Sequence, residues 1–428
     1  MHCTLLIAMG SRGDVQPFLG LAVRLLREGH TVRLAAPPDF AELVAAYGVD
    51  FAPMGLPAKA VLNNEGAFAQ GTHSSLKDMR IFLSYWRDAF DLLAQNTWEA
   101  AQGTDVIIYE PSTLLATSVA ERLGIPCVES IPVPFAHSRE VPCAMLGKGK
   151  DRGPLLNWGL GFLFEHGSQQ FLWQMFRRKV NQQRRDLLGL DPLPFFGPWI
   201  SQTRVGVPVL YAYSPIVLPR PSDWPERIHV TGYWLLDPLP DWQPPADLLA
   251  FLRAGPPPVA IGFGSMPIQR PHAMLDLVLK ALERSGQRGI LLSGWSGIGK
   301  EVALPESVWR TDDIPYSWLF PRVAAVVHHG GAGTISAALR SGVPSIVTPL
   351  AFDQPFWAQR VQTLGVGPAP LPYKKLTVEH LADAIREAVT NTGMRKRAVR
   401  IGQRLQQEDG AGLAIEILCR YVTSFRHR

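Results

Sequence analysis

Two hydrophobic patterns take turns along the chain. Short apolar runs of strand length, such as Cys3–Met9, alternate with stretches whose apolar residues fall three and four apart, such as Phe18, Leu21, Ala22, Leu25 and Leu26. An unbroken apolar run suits a strand covered on both faces, and three-four spacing suits a helix with one buried side. The pattern predicts strands at Cys3–Met9, Thr31–Ala36, Val49–Ala52, Asp105–Tyr109, Pro126–Ile131 and Val209–Tyr213. Between them it predicts helices at Val15–Gly29, Phe40–Tyr47, Leu76–Ala101 and Thr113–Leu123. The rhythm breaks from about 132 to 200, where proline, glycine and aromatic residues dominate and only Phe171–Leu188 reads as a helix.

The stretch 215–245 is rich in proline and poor in periodic residues, which marks a connector. Strand and helix then alternate again, with strands at Val259–Phe263, Gly289–Ser293, Val308–Thr311, Ala324–His328 and Pro344–Pro349. Helices fall at His272–Ser285, Thr334–Ser341, Pro355–Leu364, Thr377–Thr392, Gly393–Glu408 and Ala411–Tyr421. The expected fold class is α/β, with two Rossmann-like, doubly wound domains facing across a cleft. The expected divisions are 1–214, a linker at 215–245, a second domain at 246–408, and a terminal helix at 409–428 that returns to the first domain.

Composition narrows the classes. A chain of 428 residues with 46% hydrophobic and 18% charged residues is globular, and its formal net charge of +5 is mild. Basic residues are scattered rather than striped, so nucleic acid is not an expected partner. The basic run within Phe171–Leu188 fits either a solvated face or contact with an anionic membrane surface. Cys3, Cys127, Cys143 and Cys419 have neither disulfide-framework nor zinc spacing. With no signal segment and no long apolar run, the expected location is cytoplasmic, with any membrane contact peripheral. Oligomeric state is not encoded in any pattern we recognise.

The segment with the most chemistry is Ala324–Gln354. A strand feeds Gly330-Gly331-Ala332-Gly333-Thr334, which feeds a helix, so free backbone N–H groups converge where a phosphate would bind. His328 closes the strand. No GK[ST] and no GxGxxG occurs, so neither a P-loop nor a dinucleotide site is expected. Ser265, after the strand Val259–Phe263, suits a phosphate contact or a helix cap. Asp353 and Gln354 suit hydroxyl recognition on a sugar, and Asp353 also suits an N-cap. Asp14 follows the first strand, either as an N-cap or as a general base. A helix N-terminus would lower its pKa, whereas a second carboxylate or an apolar cleft would raise it, and Glu110 lies at the correct sheet edge to do so. His137 is a further candidate for that effect. Asp-x-Asp is absent and no metal cluster is evident, so a departing diphosphate would be met by His328 and backbone dipoles. The aromatic stretch 76–200 offers an apolar wall, with Phe82, Trp86, Phe135, His137, Trp158 and Phe162 as candidates.

These residues together resemble inverting GT-B glycosyltransferases of the sterol glucosyltransferase-like type, with a family 28 type N-terminal domain. The resemblance rests on Gly10-Ser-Arg-Gly-Asp-Val-Gln-Pro17, Gly294-Trp-Ser-Gly297, Ile314-Pro315, Trp318-Leu-Phe-Pro321, His328-His-Gly-Gly-Ala-Gly-Thr334, Asp353-Gln-Pro-Phe-Trp357 and Gly365-Val-Gly367. It implies that Asp14 is the catalytic base and that His328 with Gly331, Ala332, Gly333 and Thr334 binds the diphosphate. It also implies that Asp353 and Gln354 bind the sugar, that Ile314 holds the base through its backbone, and that Trp295 belongs to the donor site. Ser336 stands where some relatives place a ribose-binding glutamate.

The function implied is transfer of a hexose, glucose first, from a UDP-sugar to a hydroxyl of an apolar acceptor with inversion, needing no metal or other cofactor. The acceptor classes are sterols, other lipids and polyketide- or flavonoid-like compounds. Alternatives are a dTDP-sugar-dependent transferase of lipid or natural-product biosynthesis, a nucleotide-sugar epimerase on the same architecture, and a binding protein without turnover.

Overall fold

A computed structural model describes residues 3–58, 89–146, 149–197, 206–264, 270–294, 298–299 and 302–427. Two wholly parallel sheets form its framework. The first holds seven strands, β1 (Cys3–Ile7), β2 (Thr31–Ala36), β3 (Asp50–Pro53), β4 (Val106–Tyr109), β5 (Cys127–Ile131), β6 (Val209–Tyr211) and β7 (Ile228–Val230), in the order β3-β2-β1-β4-β5-β6-β7. The second holds β8 (Val259–Gly262), β9 (Gly289–Leu292), β10 (Val308–Thr311), β11 (Ala325–His328) and β12 (Ser345–Val347), in the order β10-β9-β8-β11-β12. The doubly wound α/β expectation holds. Leu5, Leu6 and Ile7 of β1 are fully buried, as an unbroken apolar run between two helix layers should be.

Each sheet reverses its strand order once, between β1 and β4 and between β8 and β11. Helices leave neighbouring strands toward opposite faces at such a point, so a crevice opens at the carboxyl ends of the strands. Asp14 and Glu110 follow β1 and β4, and His328 ends β11.

Three sequence expectations need correction. Residues 228–230, inside the proline-rich stretch read as a connector, pair in parallel with β6 and complete the first sheet. Strand length there is only three residues, too short to show a period. The helix expected at Phe171–Leu188 runs over Pro154–Asp186. Its first half was hidden by Gly159, Gly161 and Gly167, which weaken a helical reading. Gly161 is needed because a Cβ there would lie 3.1 Å from the Cβ of His137. Third, Asp14 is not the N-cap of its helix, Arg12–Arg27; Ser11 is. Of the helix expected at Leu76–Ala101, residues 89–100 are described and helical. Among the described residues no helix is long and apolar enough to cross a membrane.

The two halves are joined by more than the connector. Tyr213, Val217 and Trp224 of the first half share one buried apolar cluster with Ile335, Phe356, Trp357 and Val361 of the second, and the rings of Tyr213 and Trp357 meet at 5.6 Å. The last helix, Gly410–Arg426, returns to the first half and packs Ala414, Ile415 and Leu418 against Leu19, Ala22 and Leu25. Gly410 is required at that crossing, since a Cβ would lie 2.6 Å from the Tyr233 carbonyl oxygen.

Candidate active site

The turn after β1 carries two carboxyl groups. The Asp14 carboxylate accepts the Ser11 amide N–H at 2.8 Å and the Ser11 hydroxyl at 3.1 Å. It thus supplies the third-residue half of a capping box. Glu110, at the end of β4, accepts the Met9 amide N–H at 3.0 Å. The two anchoring amides are two residues apart, within about 7 Å along the chain. Gly10 between them has φ 112°, and a Cβ there would lie 2.5 Å from the Asp14 carboxylate.

Burial raises the Asp14 pKa, against the lowering effect of the two Ser11 hydrogen bonds. The depth of the cleft outweighs the helix terminus. Glu110 is pushed up to about 8, by burial first and by the charge of Asp14 second. At neutral pH Glu110 therefore keeps its proton. His137 does not play that part. Its backbone N–H and its Nδ1 both bind Glu165, at 2.8 and 2.7 Å.

The second crevice is built around His328. Its Nδ1 accepts the Gly330 amide N–H at 3.2 Å, which leaves the ring proton on Nε2. Nε2 is buried and has no partner among the described residues. Burial, then His329, pushes the His328 pKa down to about 3, and burial pushes His329 down to about 4, so both rings are neutral. An unpaired buried donor is costly unless something arrives to accept from it. The His329 ring lies between Gly264 and Gly331, where a Cβ on either would approach it to 2.5 Å. The helix Ala332–Ser341 begins at Gly331 with no side-chain cap, so the N–H groups of Ala332, Gly333 and Thr334 are left for a ligand. Ser336 is buried and its hydroxyl donates to the Gly333 carbonyl at 2.7 Å.

Asp353 caps the helix Gln354–Thr363 by position only, because its carboxylate accepts the Trp357 indole N–H at 2.8 Å. One oxygen is thereby fixed. Burial pushes its pKa up to about 6, against its hydrogen bonds and with a small addition from Asp14. The Gln354 carbonyl oxygen accepts from the amides of Leu350 and Ala351, at 2.8 and 3.2 Å, so only its NH2 end can serve a sugar. Phe352 beside them has φ 56°, the one non-glycine residue at positive φ among the described residues. The Ile314 side chain is buried in the second half's core, which leaves its main chain for any nucleobase.

The two crevices meet. A Cβ on Gly333 would lie 3.9 Å from Gly13, so the uncapped helix start faces the helix that bears Asp14. Arg12 reaches across to Asp313 at 2.6 Å.

His137, Trp158 and Phe162 also converge. His137 stands edge-on to Trp158 and Phe162 at 5.5 and 5.3 Å, these two stack at 5.2 Å, and Phe135 meets Phe164 at 5.8 Å. His137, Glu165 and His166 also have ligand atoms within 4.8 Å of one another, the single such cluster among the described residues. No spacing in the sequence points to it, because Glu165 lies in the glycine-interrupted first half of its helix. Ser11 and Arg12, just before Asp14, and His329, next to His328, were missed as well. Phe82, Trp86, Ser265 and Trp295 lie outside the described residues.

Residues 4–140 match the glycosyltransferase family 28 N-terminal domain, and residues 297–411 match the erythromycin biosynthesis protein CIII-like C-terminal domain. Among solved structures, the calicheamicin glycosyltransferase superposes with a TM-score of 0.69 at 18% identity over 99% of this chain and 98% of its own. The kitacinnamycin glycosyltransferase superposes with a TM-score of 0.67 at 21% identity over 98% of each chain. These likenesses establish the GT-B fold. A sterol 3-beta-glucosyltransferase of Cryptococcus neoformans var. neoformans serotype D is 35% identical over 97% of this chain, which spans 27% of that protein. One from Arabidopsis thaliana is 33% identical over 98% of this chain and 65% of its own length, and a second is 33% identical over 97% and 68%. The chain thus spans about a quarter to two thirds of the curated relatives it matches. By this relationship, which runs through nearly all of the chain, the protein belongs to the sterol 3-beta-glucosyltransferase family of GT-B glycosyltransferases.

Proposed function

We propose that the protein transfers glucose from UDP-glucose to the hydroxyl of a sterol or similar apolar alcohol, with inversion at the anomeric carbon. One observation carries this reading: Asp14, half-buried at its turn, stands on the helix that faces the uncapped helix start and the unpaired His328 Nε2–H. A base on one side of a cleft and anion donors on the other fit displacement of a diphosphate by a hydroxyl.

In this reading Asp14 takes the acceptor proton as the acceptor oxygen bonds to the anomeric carbon. The bond from that carbon to the diphosphate breaks on the opposite face, and the electron pair leaves with UDP. His328 and the N–H groups of Ala332, Gly333 and Thr334 receive the developing charge, and no cation is assigned a part. Asp353 and the NH2 of Gln354 hold sugar hydroxyls. The aromatic group around His137 forms the acceptor wall, and the family relationship supports a sterol for it. Protonated Glu110 keeps a second negative charge out of the turn, so Asp14 works as a single carboxylate.

The test is Asp14→Asn, assayed with UDP-glucose and a panel of sterols, flavonoids and hydroxy-fatty acids. Turnover should fall by about 10²–10⁴ with UDP affinity kept. Undiminished turnover would remove Asp14 from the mechanism.

A further inference from the structure

The side chains beside the aromatic wall include one cluster that sugar transfer does not use. His137 lies on the stretch that leaves β5, and Glu165 and His166 are neighbours in the helix Pro154–Asp186. One nitrogen of each histidine and one oxygen of Glu165 lie within 4.8 Å of one another. Gly161 makes the meeting possible, since a Cβ there would be 3.1 Å from the Cβ of His137.

A histidine beside a glutamate is by itself an ordinary pair. Two features make this one a ligand set. The first is the third group. His137 Nδ1 and Glu165 satisfy each other at 2.7 Å, yet His166 comes to the same point, with its ring 5.7 Å from that of His137.

The second is the way the set is held. The His137 backbone N–H donates to Glu165 at 2.8 Å, which orients the carboxylate. The Trp224 indole N–H donates to the His137 carbonyl at 3.2 Å, and the Tyr211 hydroxyl accepts from the Phe135 and Ala136 amides at 3.2 and 2.8 Å. Trp224 and Tyr211 are both buried, so the stretch that carries His137 is fixed from the core. Outer hydrogen bonds of this kind orient metal ligands, and an apolar shell such as Trp158 and Phe162 limits access of water.

Two imidazoles and a carboxylate suit zinc and its first-row neighbours cobalt, nickel and copper. They suit magnesium and calcium poorly, because those ions take oxygen ligands. Tetrahedral ligands about 2.1 Å from an ion stand about 3.4 Å apart. The cluster needs only a small closure to reach that spacing, and His166 is exposed and able to supply it. An ion on His137 Nδ1 takes the place of the proton there, and the ring keeps its proton on Nε2.

We propose that His137, Glu165 and His166 form a binding site for a divalent ion of the zinc type, with water in the open fourth position. The ion takes no part in the departure of the diphosphate. It ties the His137 stretch to the helix and sets a hydrated charge beside Trp158 and Phe162. Apolar acceptors then bind less well, a consequence that rests on the transferase reading above, whereas the site itself does not.

The experiment is titration of the full chain, stripped with a chelator, with Co2+ and then Zn2+. The wild type should take up Co2+ with the visible absorption of a four-coordinate site, and Zn2+ should displace it. Excess Mg2+ should not. His166→Ala and Glu165→Gln should bind about tenfold more weakly or worse. His380→Ala, which removes an exposed histidine elsewhere, should bind like the wild type. Unchanged melting temperatures without metal show that the variants fold, and Zn2+ should raise the melting temperature of the wild type more than that of His166→Ala or Glu165→Gln. With UDP-glucose and a sterol, Zn2+ should raise the acceptor KM of the wild type, leave its donor KM in place, and do neither in His166→Ala. Wild-type protein that takes up no Co2+, or His166→Ala and Glu165→Gln that bind as the wild type does, would overturn the inference. So would loss of Co2+ binding in His380→Ala, which would place the ion elsewhere. Ion binding as expected, with no sugar transferred to any acceptor in the presence or absence of Zn2+, would leave the site standing and sink the transferase reading.

Discussion

Asp14 and Glu110 hold the same turn from opposite sides: the Ser11 amide donates to Asp14 at 2.8 Å and the Met9 amide donates to Glu110 at 3.0 Å. The chain brings them together from β1 and β4, which are neighbours only because the strand order reverses there. Their titrations are therefore linked. Glu110 is pushed up to about 8 partly by the charge of Asp14.

Glu110 binds its proton more tightly in the fold than in the unfolded chain, so its contribution to stability is complete below pH 4.5 and is lost as pH rises through about 8. Glu110→Gln should relieve this loss. Its melting temperature should match the wild type near pH 4.5 and exceed it at pH 9, where the stability difference is on the order of a few kcal/mol at most. Parallel melting curves across that range would show that Glu110 is already ionised in the fold. Asp14→Asn should lower the Glu110 pKa, which carbon-detected NMR of the carboxyl groups would read directly.

His328 titrates in the opposite sense. Its pKa is pushed down to about 3, so its contribution is complete above pH 6.5 and is lost as pH falls toward 3. His328→Gln should be the more acid-resistant protein in melts between pH 6 and 4. In turnover it should be slower, by roughly 10²-fold, with kcat affected more than KM, because the Nε2–H meets charge that develops only as the diphosphate leaves. Equal losses in binding and chemistry would make His328 a ground-state contact.

Gly331→Ala tests close approach rather than backbone freedom. Gly331 has an ordinary φ of −62°, but a Cβ would lie 2.5 Å from His329 Nε2. The ring would have to leave its slot between Gly264 and Gly331. Donor KM should rise about tenfold with the acceptor KM unchanged. A variant with wild-type donor KM would show that the ring can give way.

Asp353→Asn keeps the shape of the loop but weakens acceptance from the Trp357 indole and from any sugar hydroxyl. Asp353 is pushed up to about 6, so wild-type preference among UDP-sugars should weaken as pH falls below that value. The variant should show weaker preference at every pH, read as the ratio of kcat/KM for UDP-glucose to that for UDP-galactose. A ratio that keeps its wild-type pH dependence would move donor choice elsewhere.

What the sequence made legible was whatever repeats or stands alone. Apart from the three-residue β7, the strands of both sheets announced themselves as apolar runs, because parallel strands are buried on both faces. Asp14, His328 and Asp353 stood out because each follows a strand at a turn. Glu110 was legible as a carboxylate at the same sheet edge as Asp14, but the contact by which it reaches the turn was not, and neither was Glu165. Glu110 meets the Asp14 turn across 101 positions through Met9, and Glu165 meets His137 across 28. Such pairings depend on strand order and on a helix whose glycines hid it. The Ser336 bond to Gly333 is local, since a serine inside a helix often donates to its own backbone.

The path of the last helix has a consequence for synthesis. Leu19, Ala22 and Leu25 of the first helix are covered in part by Ala414, Ile415 and Leu418. A ribosome makes the first domain's seven strands before residue 231, yet that domain's core stays open until nearly two hundred further residues have emerged. The half made earlier is thus completed by the half made later. Through most of translation the nascent chain therefore carries an uncovered apolar groove, which makes early release or a stalled C-terminus a direct route to aggregation.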